Sequence, residues 1–136
     1  ADRIDRTEDG SLIIYDYKTG RPPSQDEQKY FDKQLLLEAA MAEQGGYRDI
    51  DPADVVDAIY IGLGASPKDE HAPLEDSPAM QVWVEFAQLI AHYADPNNGF
   101  TARRAMQSDR DVGDYDQLAR FGEWDVTDAP TPEDVT

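Results

Sequence analysis

Apolar positions along the chain fall into blocks of different spacing, and each block predicts an element. Residues 2–7 and 11–18 read as a β-hairpin. Its second strand, Ser11-Leu12-Ile13-Ile14-Tyr15-Asp16-Tyr17, is rich in β-branched and aromatic types. Glu8-Asp9-Gly10 suits a three-residue loop, a type I turn followed by glycine in the left-handed region. In that register Thr7 pairs with Ser11 and Asp2 lies opposite Asp16, with directly opposed side chains ~5 Å apart on one face. A two-residue Asp-Gly turn would shift the register by one and separate the two aspartates. Residues 19–24 form a loop, and one long helix follows over about 25–44. Ser24 and Glu27 make a capping box, Leu35-Leu36-Leu37-Glu38-Ala39-Ala40-Met41-Ala42 is apolar on most sides, and Gly45-Gly46 ends the helix.

Residues 55–63 predict a third strand, and the proline-containing, charged stretch 65–77 a loop. Ser77-Pro78 starts a second helix that runs to about Ala94. Its core stripe is expected at Val82, Phe86, Leu89 and Tyr93, with Trp83 and Ile90 beside it. Asp95-Pro96-Asn97-Asn98-Gly99 stops this helix. Residues 100–125 are expected to be extended, then briefly helical near Tyr115–Phe121. The expected organisation is a single domain over 1–125 and an acidic, disordered tail over 126–136. No internal repeat is visible.

Charge changes the picture of possible partners. The 136 residues carry 12 Lys+Arg against 29 Asp+Glu, a net of −17, and such a surface repels a polyanion. The excess is uneven: residues 1–34 hold six bases against eight acids, whereas 109–136 hold nine acids against Arg110 and Arg120. There is no cysteine, so this chain holds no disulfide, zinc–thiolate site or iron–sulfur cluster. No apolar run is long enough to span a membrane and nothing reads as a signal peptide; a bacterial cytoplasmic setting fits. The chain opens within a strand, which predicts a fragment whose first elements lie upstream.

One constellation suggests chemistry. Asp16-Tyr17-Lys18 closes the second hairpin strand, and alternation puts Asp16 and Lys18 on one face with Leu12 and Ile14. With Asp2 across the hairpin, the set is two carboxylates and an amine. Close carboxylates repel unless a cation lies between them. Mg²⁺ or Mn²⁺ suits oxygen ligands, with the Tyr17 carbonyl completing the protein's share. Such a cation eases deprotonation of an attacking water, which Lys18 would orient; in-line attack on a phosphodiester needs that equipment. The bland reading of Asp-x-Lys at a strand end is a solvated salt bridge. His71 and His92 have no partner at ligand spacing, Gly62-Leu63-Gly64 reads as a strand end, and Trp83 and Tyr93 read as core. Gln34 stands out, because an amide within an apolar helix needs partners.

Ala-Asp-Arg-Ile-Asp at 1–5, Asp-Tyr-Lys-Thr-Gly at 16–20 and Gln-Leu-Leu-Leu-Glu-Ala-Ala-Met at 34–41 resemble the RecB-type PD-(D/E)XK nucleases. Within them the chain is most similar to the C-terminal domains of AddB-type subunits of bacterial helicase–nucleases. Gly99-Phe-Thr-Ala-Arg-Arg and Asp114-Tyr-Asp-Gln-Leu-Ala-Arg-Phe-Gly-Glu-Trp extend the likeness over nearly the whole chain. The resemblance implies an α/β, restriction-endonuclease-like mixed sheet flanked by helices, here without its first elements. It implies a metal-dependent DNA exonuclease module working beside an AddA-like helicase–nuclease subunit in double-strand break repair, with Mg²⁺ or Mn²⁺ and no membrane. By position, Asp2 and Asp16 match the metal-binding acids, Lys18 the catalytic lysine and Gln34 the helix glutamine facing the site; Asp5 matches a structural acid paired with Arg3 or Arg6. Arg21, Arg103 and Arg104 are the candidate contacts to DNA phosphates.

The chain also departs from the family pattern. Glu38 stands where many relatives have tyrosine, and the glycine before Ala-Asp-Arg-Ile-Asp and the upstream helix and strand are missing. The expectation is a fragment weakly active or inactive alone, its DNA path lying on a partner or upstream domain. The alternatives are a non-catalytic scaffold of the same fold and a metal-dependent hydrolase with another substrate.

Overall fold

The computed structural model describes residues 1–99, 113–125 and 127. They fall into two compact units, Ala1–Gln88 and the part from Leu89 onward. The first unit holds β1 (Arg3–Arg6), β2 (Leu12–Lys18), α1 (Gln25–Tyr30), α2 (Gln34–Glu43), β3 (Val55–Gly62) and β4 (Asp69–His71). Helix α3 (Ala79–Ala94) begins in the first unit and ends in the second.

The sheet order is β1-β2-β3-β4, antiparallel at both edges and parallel between β2 and β3. A parallel pair cannot be joined by a hairpin, so the chain crosses over through α1 and α2 between the two strands. This is the mixed α/β sheet expected from the sequence. Its core is on the face covered by α2: Leu12 and Ile14 of β2, Ala58 and Tyr60 of β3, and Leu35, Leu36, Ala39 and Ala40 of α2 are all buried.

The hairpin has the predicted register, with Arg3 opposite Tyr15, Ile4 opposite Ile14 and Arg6 opposite Leu12. The Thr7 amide donates to the Ser11 carbonyl at 2.9 Å, and Gly10 takes φ 94°, which a residue with a Cβ rarely adopts. Arg6 ties the turn down by donating to the carbonyls of Gly10 (2.6 Å) and Asp51 (2.8 Å).

Four expectations need correction. The long helix over 25–44 is two helices, α1 and α2, broken at Phe31–Lys33. The first segment is almost entirely polar and the second apolar, so one straight helix would not serve both. At the break, the Phe31 and Asp32 amides both donate to the Glu27 carbonyl at 2.8 Å, and the Asp32 side chain turns back to bond elsewhere. The Ser24–Glu27 capping box is present at the start of α1.

The stretch 65–77 is not wholly loop, because β4 pairs with β3. A three-residue polar edge strand has no alternation to reveal it, and its charges suit an edge. Along α3 only Ala79 and Val82 are buried and Trp83 is partly so; Leu89 is 52 % and Ile90 54 % exposed, and Phe86 and Tyr93 also face solvent. Of the expected stripe, Val82 is core and Trp83 packs against it, whereas Phe86, Leu89, Ile90 and Tyr93 are not core among the described residues. Near Tyr115–Phe121 the chain forms successive turns, with a single helical bond from the Ala119 amide to the Tyr115 carbonyl at 2.9 Å, rather than a helix. Residues 100–112 and nearly all of the expected tail lie outside the described residues.

Candidate active site

The C-terminal end of β2 brings Asp16, Tyr17 and Lys18 to the edge of the core. Because alternation points Leu12, Ile14 and Asp16 at the covered face, Asp16 is only 6 % exposed. A carboxylate this deep needs compensation. Its Oδ1 accepts from Gln34 Nε2 at 2.7 Å. Its Oδ2 lies 2.9 Å from Lys18 Nζ, an ion pair out of line for a hydrogen bond. Lys18 Nζ also donates to Gln34 Oε1 at 2.9 Å. The one amide of Gln34 thus donates to the acid and accepts from the amine. This is the partner set that a glutamine in an apolar helix requires, and it brings Gln34 to Asp16 and Lys18.

Asp2 reaches the same strand end. Its amide donates to the Tyr15 carbonyl at 3.1 Å, and its carboxylate Oδ2 accepts from the Tyr17 amide at 2.8 Å. Asp5 lies in a two-bond clasp with Arg3, whose Nε donates at 2.7 Å, so its part is structural. Arg21 is taken by a similar clasp with Glu27, at 2.9 and 2.6 Å. That contact raises the guanidinium pKa. It is also the foremost cause, ahead of the Ser24 amide, that lowers Glu27 to about 2. Arg21 therefore meets any phosphate already paired. Arg103 and Arg104 lie outside the described residues.

Three further residues belong to the cluster. Glu38, one turn after Gln34, accepts from Gln34 Nε2 at 3.1 Å and from the Ala1 amine at 2.7 Å, while its Oε2 is buried without a partner. The four-residue spacing was the signal that it shares Gln34's face. Tyr60 pairs with Asp16 across the parallel strands and lies beneath Lys18, and its hydroxyl donates to Asp32 Oδ1 at 3.1 Å. Burial above all, then the Asp32 charge, raises its pKa and keeps it a donor. No sequence signal gives that pairing, because it depends on the register of the crossover. Gly62, opposite Lys18, ends β3 as read; a Cβ there would meet the Lys68 carbonyl at 2.8 Å and Pro22 at 3.0 Å. His71 does have a partner: its Nδ1 lies 2.9 Å from Asp57 Oδ2 on the neighbouring strand.

An acid, an amine and an amide are thus held in one part-buried network at a strand end. The model of the PD-(D/E)XK nuclease superfamily matches residues 1–124. The chain belongs to that superfamily. Its members are generally metal-dependent nucleases, and its α/β core is the one described above. No curated protein and no solved structure matches the chain.

The donor set fits the superfamily's Mg²⁺ or Mn²⁺ in kind. It offers carboxylate oxygens for a hard cation, with Asp16 Oδ2 lacking an aligned hydrogen bond. Among the described residues no group of three or more His, Cys, Asp or Glu side chains is arranged to hold a metal ion. Among the same residues no helix is long and apolar enough to cross a membrane.

Proposed function

We propose that this PD-(D/E)XK chain is a metal-dependent nuclease module that hydrolyses DNA phosphodiesters, with Asp2 and Asp16 as the metal-binding acids and Lys18 as the catalytic lysine. The single observation that carries this reading is the Asp16–Lys18 pair, 2.9 Å apart at the end of β2 and joined through Gln34. Asp2, Asp16 and the Tyr17 carbonyl would hold the cation, water filling its other positions. Bound there, the ion neutralises phosphate charge and eases deprotonation of the attacking water.

The chain's own residues do the rest. The water gives up a proton to bulk solvent as its oxygen bonds phosphorus, the bond to the leaving oxygen breaks, that oxygen takes a proton from solvent, and negative charge grows on the phosphoryl oxygens. The Lys18 ammonium, fixed by Gln34, stabilises that charge. The finer reading, carried by the sequence resemblance, is an exonuclease module of an AddAB- or RecBCD-like helicase–nuclease in double-strand break repair, beside an AddA-like subunit. The net charge of −17 supports a division of labour in which a partner supplies the basic path for the strand.

The test is cleavage of end-labelled single-stranded DNA in Mn²⁺ by the wild type and by Lys18→Ala. Slow cleavage that falls by at least about a hundredfold in the variant is expected, in line with loss of a charge-stabilising group. Equal rates in the two proteins would overturn the assignment of Lys18. No cleavage by either, even with an AddA-like subunit present, would favour the scaffold of the same fold.

A further inference from the structure

We propose that Tyr60 is a positioning residue whose ring holds the Lys18 ammonium in place. This rests on the reading of Lys18 given above. Lys18 Nζ lies 4.8 Å from the centroid of the Tyr60 ring, the geometry of a cation–π contact. The ring is fully buried and faces Asp16 across the strand pair, so it cannot swing away.

Among the described residues, Lys18 contacts Asp16, Gln34 and this ring. Asp16 is the one whose oxygens a divalent cation would claim. An aromatic face does not ligate a hard cation, so the ring keeps its hold on the ammonium whatever Asp16 binds. The other end of the side chain acts on α2. The hydroxyl donates to Asp32 Oδ1 at 3.1 Å, and the same oxygen accepts from the Gln34 backbone N–H at 3.4 Å. One tyrosine thus braces both the ammonium and the residue whose side chain joins Lys18 to Asp16.

The experiment compares Tyr60→Phe, Tyr60→Leu and Tyr60→pentafluorophenylalanine in the full chain. Two readouts are followed: the Lys18 ε-methylene proton shifts, and kcat and KM for single-stranded DNA cleavage in Mn²⁺. Over a ring face those protons shift upfield, in the wild type and in Tyr60→Phe alike, and the shift is lost in Tyr60→Leu. Tyr60→Phe is expected to keep kcat within about threefold, since the ring remains. The pentafluoro variant keeps the shape but removes the negative face, and kcat is expected to fall about tenfold at unchanged KM. It decides the matter even where Tyr60→Leu fails to fold.

Lys18 protons without an upfield shift in the wild type, or a pentafluoro variant with wild-type kcat, would overturn the proposal. A fall expressed in KM alone would also overturn it, because it would place the effect in DNA binding. Absence of cleavage by the wild type would instead count against the nuclease reading. The proton shifts then decide by themselves whether the ring holds the ammonium: an upfield shift that the pentafluoro variant weakens upholds that contact, and its absence overturns it.

Discussion

Helix α2 buries Leu35, Leu36, Ala39, Ala40 and Ala42, whereas the longer α3, with apolar side chains along most of its length, buries only Ala79 and Val82. The sequence promised burial for both, α2 by being apolar on most sides and α3 by a stripe along one face. The difference lies in what each helix connects. α2 is the crossover between two parallel strands, so it must lie across their face and cover Ile14, Ala58 and Tyr60. No such constraint acts on α3 beyond its first turn. An apolar stripe states that a face is fit to be covered; only connectivity says by what. The helix held by the crossover is also the one that presents Gln34 and Glu38 to the candidate active site.

The contrast is broken or sharpened most strongly in the core. Leu36→Ala is expected to cost about 3 kcal/mol, from lost burial plus the cavity left behind. Leu89→Ala should stay within about 0.5 kcal/mol, as at other exposed positions. Urea unfolding of both variants reads the two numbers, and similar losses would mean that α3 is covered after all. Next come the two glutamines. Gln34→Ala strips partners from Asp16 and Lys18 and should cost about 1–3 kcal/mol, while Gln88→Ala, at an exposed position of α3, should cost no more than a few tenths.

The smallest effect is the pH response of the cap at the start of α1. The Arg21 clasp, then the Ser24 amide, lower Glu27 from the ordinary 4.5 to about 2. A lowered carboxylate contributes stability that is fully present above 4.5 and is lost as pH falls through about 2. Carboxyl-carbon NMR should find the Glu27 midpoint low in the wild type and higher in Arg21→Ala. An unmoved midpoint would show that the clasp does not form in solution.

Much of this was legible in the residues. Gly10 and the three-residue loop set the hairpin register, and that register delivers Asp2 to the strand end occupied by Asp16 and Lys18. Ser24 and Glu27 announced the start of α1, and the isolated amide of Gln34 announced a polar network. What stayed hidden depends on contacts far apart in sequence. Tyr60 meets Lys18 because the crossover sets a parallel register, and the break between the helices leaves Asp32 bonded to the Tyr60 hydroxyl. Strand β4 is three polar residues on an edge, and its His71–Asp57 pair follows from its own pairing with β3.

The central proposal is that Asp2, Asp16 and the Tyr17 carbonyl hold a divalent cation. The most direct measurement is paramagnetic broadening of backbone amides on stepwise addition of Mn²⁺ to the labelled chain. The account predicts that the amides of Tyr17 and Lys18 broaden at the lowest Mn²⁺, and that Asp16→Asn abolishes this early loss. First broadening elsewhere on this acidic surface, with Tyr17 and Lys18 intact, would contradict it.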